Sequence, residues 1–387
     1  MLREIKNYFF KGSVGKGVFC RADSQARVSW DWRPKLAKSP VLIDLALQGG
    51  GAHGAFTWGV LDRLLDEEWL EFEAISGASA GAMNAVVMVH GLIDGGRPGA
   101  KAALERFWRC IAESAPMSSL TTMAEFFDPD RRLTMTPAGW WSPTIGLEVS
   151  QTVFSGLFSP YQFNPLNFNP LLDLLDDLVD FDAIRRSDKI KLLISATRVS
   201  DGALHLFRNG DISAKAVMAS ACLPELFHAV QIDGESYWDG GYIANPALEP
   251  LIKESAANDL LLVQLNPPTR AQQPFSAKEI ANRLNEITFN ANLNQALHLI
   301  GQLKTAIDQE ALSGEIKNVF FRRLQNLRLH RIAADENVFR LGHSAKLDPR
   351  WGRLQDLRDF GATAADEWLA AHGQCLGVMS SIECATL

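Results

Sequence analysis

Cysteine is scarce in this chain and poorly spaced for chemistry. Cys20, Cys110, Cys222, Cys375 and Cys384 are an odd, scattered set that offers neither a disulfide framework nor the close pairs of a zinc site. No apolar run approaches the length of about eighteen residues that a bilayer span needs. The amino-terminal segment lacks an apolar leader core, since Lys6, Lys11 and Lys16 interrupt it. A reducing cytoplasm is therefore the expected compartment. Internal repeats and low-complexity tracts are missing too, which excludes a solenoid.

The remaining composition suits a large globular core, with 47% of the 387 residues hydrophobic and 21% charged. Charge is uneven. Residues 1–40 carry nine Lys/Arg and three Asp/Glu, a net +6, which leaves −13 on the rest of a chain whose total is −7. An acidic body without a basic cluster speaks against nucleic acid as a partner. The basic arm also holds Tyr8, Phe9, Phe10, Phe19, Trp30 and Trp32. Such a mixture suits peripheral contact with an anionic membrane surface. It also reads, more plainly, as a solvated arm packing a few aromatics on the body.

The stretch from Val41 to Gly91 organises the chain. Apolar Val41–Leu47 reads as a strand, Gly49-Gly50-Gly51-Ala52-His53-Gly54 as a glycine loop, and the run through Leu65 as a helix. Phe72–Ile75 is a second strand, followed by Gly77-Ala78-Ser79-Ala80-Gly81 and a buried helix over Ala82–Val89. One βαβ unit with parallel strands would bring both loops to the carboxyl edge of the sheet, where ligands bind in open α/β folds. Gly-x-Ser-x-Gly between strand and helix is a nucleophile elbow, with Ser79 as the candidate nucleophile. Its neighbour, the helix N-terminus, favours developing negative charge. Backbone amides of Gly49, Gly50 and Gly51 suit an oxyanion hole.

Gly49-x-Gly51-x-x-Gly54 also fits a dinucleotide fingerprint, which wants an acidic residue at the end of the second strand. That strand ends in Ser76-Gly77-Ala78-Ser79 instead, with Glu71 and Glu73 at its beginning. No cofactor or metal is expected.

Further along, Ala100–Ala112 reads as a helix after a loop at Asp94–Gly99. Residues 115–169 lose periodicity while keeping Trp140, Trp141 and many Phe, as a lid or acyl-chain channel would. Irregular packing over the core explains them equally well. Pro170–Leu178 is a helix with Asn169 as its cap, Ile190–Val199 and Ala203–Arg208 form a hairpin, and Ile212–Ala221 is a small-residue helix. A second hairpin spans His228–Trp238.

Four Asp-Gly pairs must be told apart. Asp201 and Asp233 sit in hairpin turns and Asp94 in a glycine loop, whereas Asp239 ends a strand and enters a Gly240-Gly241 bend. Asn245-Pro246 marks the next helix start. A strand-end carboxylate at Asp239 suits a general base for a serine hydroxyl.

Gly49–Gly54, Gly77–Gly81 and Asp239-Gly240-Gly241, with the run Ala219–Pro224 before the last, resemble the patatin-like phospholipase family in both type and order. The resemblance covers about Val41 to Ile252. It implies a three-layer α/β/α fold with a largely parallel central sheet, and hydrolysis of lipid carboxylic esters by a Ser–Asp dyad without histidine. Ser79 would be the nucleophile, Asp239 the base, and Gly50 and Gly51 the oxyanion donors. The family often has Arg or Lys where His53 stands, which puts a fixed positive charge there in doubt.

Two rival readings stay open. A Ser-His-Asp hydrolase would draw its histidine from His298, His330, His343 or His372. A non-catalytic membrane- or partner-binding protein could keep the scaffold, although intact Ser79 and Asp239 argue against it. The expected organisation is a basic arm over 1–40, a catalytic domain over 41–265 and a mainly helical region over 266–387 packed on it. That last region should hold a strand at Leu260–Leu265 leading in, a helix opened by Ser276-x-x-Glu279 that breaks before Ile307, a strand at Leu327–Ile332, and one or two helices over Trp351–Ala371.

Overall fold

The computed structural model describes residues 40–114, 159–164, 167, 169–267, 269, 273–311, 316–334 and 349–382. The basic arm, most of the stretch 115–169 with Trp140 and Trp141, and His343 lie outside the described residues.

The first half runs β1 (Val41–Leu47), α1 (Gly54–Leu64), β2 (Leu70–Gly77), α2 (Ala80–Ser114), α3 (Pro160–Phe163), α4 (Pro170–Leu178), α5 (Phe181–Arg186), β3 (Lys191–Arg198) and β4 (Leu204–Arg208). The second half follows with α6 (Ala214–Ser220), β5 (Val230–Ile232), β6 (Glu235–Asp239), α7 (Leu248–Glu254), β7 (Asp259–Gln264), α8 (Ala277–Ala311), α9 (Val319–Asn326), β8 (Arg328–Ala333) and α10 (Trp351–His372).

One sheet joins all eight strands in the order β5-β6-β3-β2-β1-β7-β8, with β4 also on β3. The pairs β3–β2, β2–β1, β1–β7 and β7–β8 are parallel, while β4 and β6 run against β3. Central strands of such a sheet are covered on both faces and so read as unbroken apolar runs, as β7 does. Alternate residues supply two separate cores. Ile43, Leu45, Leu47, Ile75, Ile194 and Val263 pack towards α1, α2 and α10. Ala46, Ala74, Leu193, Leu260, Leu262 and Leu329 pack towards α7, α8 and α9. The three-layer α/β/α arrangement with a largely parallel sheet is thus present.

Several local expectations change. β2 begins two residues before Phe72, and a register shift at Ile43/Asp44 accommodates it against β1. The loop at Asp94–Gly99 shrinks to a kink at Gly95 and Gly96 inside α2. Asn169 stands at the N-cap of α4 without a side-chain cap bond. α8 continues unbroken for 35 residues, because its low-propensity asparagines find partners: Asn290 donates to Pro267 O at 3.0 Å and Asn292 to Tyr242 O at 2.7 Å. Its early apolar residues Ile280, Leu284 and Ile287 are exposed, and the helix buries its apolar side only from Leu293 onwards, at Leu293, Leu297, Ile300 and Ile307. Beyond position 265 the chain supplies the edge strand β8 and the helix α10 that packs on α1.

Candidate active site

β2 ends at Gly77 and α2 starts at Ala80, so Ser79 occupies the turn between them. Its φ of +52° lies in the left-handed region, which a residue with a side chain adopts only where its surroundings enforce it. Here the enforcing group is Ser220 at the end of α6. The Ser79 N–H donates to Ser220 O at 3.1 Å and to Ser220 Oγ at 2.9 Å. Gly81 allows α2 to start against β1, since a Cβ there would stand 2.2 Å from Leu47 O.

The glycine loop meets the same turn. A Cβ on Gly49 would lie 2.7 Å from Ser79 Cβ and 2.6 Å from Ala78 O, so only glycine fits between β1 and the serine. Its N–H donates to Asn245 Oδ1 at 2.7 Å. The expectation of three glycine donors is narrowed accordingly, because the Gly49 amide is already committed. The Gly50 and Gly51 amides have no acceptor among the described residues. His53 is buried, at 2% exposure, and so does not reach outwards from the loop.

Asp239 closes β6 and is 1% exposed. Its N–H donates to Cys222 O at 2.8 Å, and its Oδ1 accepts from Gly241 N at 2.6 Å. Gly241 must lack a side chain, since a Cβ would meet the Phe289 ring of α8 at 2.5 Å. Burial pushes the Asp239 carboxyl up to about 7, against the lowering effect of the Gly241 amide and then of the Ser79 hydroxyl. The amides of Ser79 and Asp239 donate to Ser220 O and Cys222 O, two residues apart, so the bend after α6 holds both groups at one edge of the sheet. Asp239 Oδ2 accepts no hydrogen bond among the described residues. A serine in a strained turn, a buried carboxylate with an open oxygen and two uncommitted loop amides are the groups that nucleophilic acyl transfer requires.

The decoys fall where turns need them. Asp201 accepts from Arg198 Nε at 2.9 Å and is held down to about 2 by it, and Asp233 sits at φ +51° in the β5–β6 turn. Ser76, at the position where a dinucleotide site wants a carboxylate, is buried and accepts from Ala247 N at 3.1 Å. Of the histidines proposed for a triad, His330 bonds Asp259 Oδ1 at 3.0 Å and Ser381 Oγ at 3.2 Å, at the opposite end of β7 from Gln264. His298 is exposed on α8 and His372 packs near Trp368. Among the described residues no group of His, Cys, Asp and Glu is placed to hold a metal ion.

Two contributors escape a sequence reading. Ser220 sits in the quoted small-residue run but carries no signal of its own. Asn245 was expected to mark a helix start. α7 instead begins at Leu248 after Ala247, and the Asn245 amide turns inward to the glycine loop.

An open parallel sheet presenting a strained serine beside a buried carboxylate defines a class, the α/β/α proteins able to run acyl chemistry from a strand-to-helix turn. Within it the chain belongs to the patatin-like phospholipase family, whose profile matches residues 45–252, more than half of its 387 residues. It is accordingly a lipid ester hydrolase. Among solved structures it is similar to VipD from Legionella pneumophila, with 15% identity and a TM-score of 0.40 over 86% of this chain and 67% of that one. A chain of the heterodimeric ExoU–SpcU complex from the type III secretion system of Pseudomonas aeruginosa matches with 14% identity and a TM-score of 0.29, over 87% of this chain and 78% of that one. No match is found among curated proteins.

Proposed function

We propose that the protein cleaves carboxylic esters of lipids as a phospholipase A or lysophospholipase, through a Ser79–Asp239 dyad. The observation that carries this reading is a left-handed serine beside a buried carboxylate whose Oδ2 accepts no hydrogen bond among the described residues. Asp239 Oδ2 takes the Ser79 proton while Oγ attacks the ester carbonyl, and the resulting oxyanion lies against the Gly50 and Gly51 amides. Collapse expels the alcohol, which leaves with the proton from Asp239. Water, deprotonated by Asp239, then attacks the acyl-serine and releases the fatty acid as the proton returns to Ser79. The scheme needs no cofactor or metal. Labelling by a fluorophosphonate probe at Ser79, with turnover of at least one of phospholipids, lysophospholipids or short p-nitrophenyl esters, is the expected result. A folded protein that neither labels nor turns over any of these sinks the proposal.

The pH profile provides a separate check. The base must be ionised, so kcat/KM on a soluble ester should rise with pH to a plateau, with a midpoint near the value of about 7 for Asp239. Stability should move the other way. The folded state holds this proton more tightly than an unfolded carboxyl at 3.8, so the group's contribution is lost as pH rises through about 7. A flat profile between pH 5 and 9 would assign proton transfer to another group.

The substrate reaches this site from a lipid interface. Among the described residues no helix is long and apolar enough to cross a membrane. The reading therefore includes peripheral contact, with the basic aromatic arm over 1–40 as the element that docks. Deleting the arm should weaken binding to anionic liposomes while sparing hydrolysis of a soluble ester, and salt should mimic the deletion because surface charge is screened over roughly 8 Å at physiological ionic strength. Liposome binding indifferent to both treatments returns the arm to simple packing.

A further inference from the structure

The glycine loop has a mechanical problem. Three successive glycines form the softest backbone a chain can offer, yet an oxyanion hole works only if its donors are fixed before the reaction. Something outside the loop must hold it. The 48–49 peptide is held at both ends. Gln48 Oε1 accepts from Leu265 N and Asn266 N, each at 2.8 Å, and its Nε2 donates to Asn290 Oδ1 at 2.8 Å. The Gly49 N–H donates to Asn245 Oδ1 at 2.7 Å.

Asn245 itself is fully buried, and its Nδ2 donates to Phe289 O at 3.3 Å. Phe289 is also the residue whose ring closes over Gly241, next to the carboxylate of Asp239. A single side-chain amide therefore joins the glycine loop to the stretch of α8 that walls the Asp239 bend. Gly49 is the residue pressed against Ser79, and its own peptide carries the Gly50 N–H. A swing of the 48–49 peptide would carry Gly49, and with it the peptide that bears the Gly50 N–H, away from its seat against Ser79, and the bond to Asn245 holds that plane in place.

We infer that Asn245 is a positioning residue for the oxyanion loop, acting on turnover through Gly49 and not on substrate affinity. This inference rests on the Ser79–Asp239 reading above.

The test uses the full chain and a soluble p-nitrophenyl ester. Asn245→Ala should lower kcat about 100-fold, the scale of a lost oxyanion donor, with KM within about threefold of the parent. A trifluoromethyl ketone, which adds to Ser79 and creates the oxyanion, should lose affinity in parallel. A non-reacting ether analogue of the substrate should not. Asn245→Asp keeps an acceptor for the Gly49 N–H, so it should recover at least about tenfold of the lost kcat when compared on the pH plateau. Where Asn245→Ala does not fold, Asn245→Ser takes its place, since its shorter side chain holds its hydroxyl short of Gly49. An unchanged kcat, a loss confined to KM, or a folded Asn245→Asp as slow as the truncated variant would each overturn the inference. Loss of the dyad reading looks different: the parent protein would show no Ser79-dependent turnover at all.

Discussion

Ser79→Ala should reduce hydrolysis of lipid and p-nitrophenyl esters by about 10⁴-fold or more, because the bond-forming atom itself is gone. Fluorophosphonate labelling should vanish with it. Asp239→Asn should cost about 10³-fold or more while keeping the volume of the side chain and its bond to the Gly241 amide. Both variants should remain folded, and the asparagine should add stability above neutral pH by removing a buried carboxyl. Alanine at His298, His330, His343 or His372 is the control, and each folded variant should keep substantial activity. His330→Ala will lower stability, since it strips one partner from the buried Asp259. One dead but folded histidine variant would replace the dyad with a triad.

Gly49→Ala is expected to lower turnover by about 10²-fold. The added methyl would lie 2.6 Å from Ala78 O and 2.7 Å from Ser79 Cβ, so it must displace the nucleophile, the loop or both. A misplacement on the order of 1 Å at a reacting group costs about that much rate. The fold should lose only about 1–3 kcal/mol, as overpacked sites do. Urea denaturation measured beside kcat separates the two effects. Activity that falls only in proportion to the folded fraction would show that the contact is structural and nothing more.

The sheet was legible because buried parallel strands announce themselves as apolar runs, and Val41–Leu47 and Leu260–Leu265 are such runs. The elbow and the strand-end aspartate were legible because glycines flank both. α5 and α9 were not. At six and eight residues they are too short to show a helical period, and they rest on capping bonds that Asp180 accepts from Ala183 N and Asn318 accepts from Phe320 N and Phe321 N. α8 was misjudged for a related reason. Its expected break is absent, and residues that tie it to the body are Asn290 and Asn292, polar groups whose partners lie far away in sequence. Asn245 fails in the same way. A cap and a loop tie are the same residue until the fold supplies the acceptor and the donor.

The stretch that matches the family begins inside β1 and stops inside α7. The sheet does not respect those limits. β1 sits between β2 and β7, and β7 is in turn covered by β8, both beyond residue 252. Phe289, which closes over the Asp239 bend, comes later still. A recombinant piece trimmed to 45–252 would therefore open one flank of its central strand to water and strip the wall from its base. Expression work aimed at crystals or assays should carry the chain through α10, or it will be reporting on an aggregate.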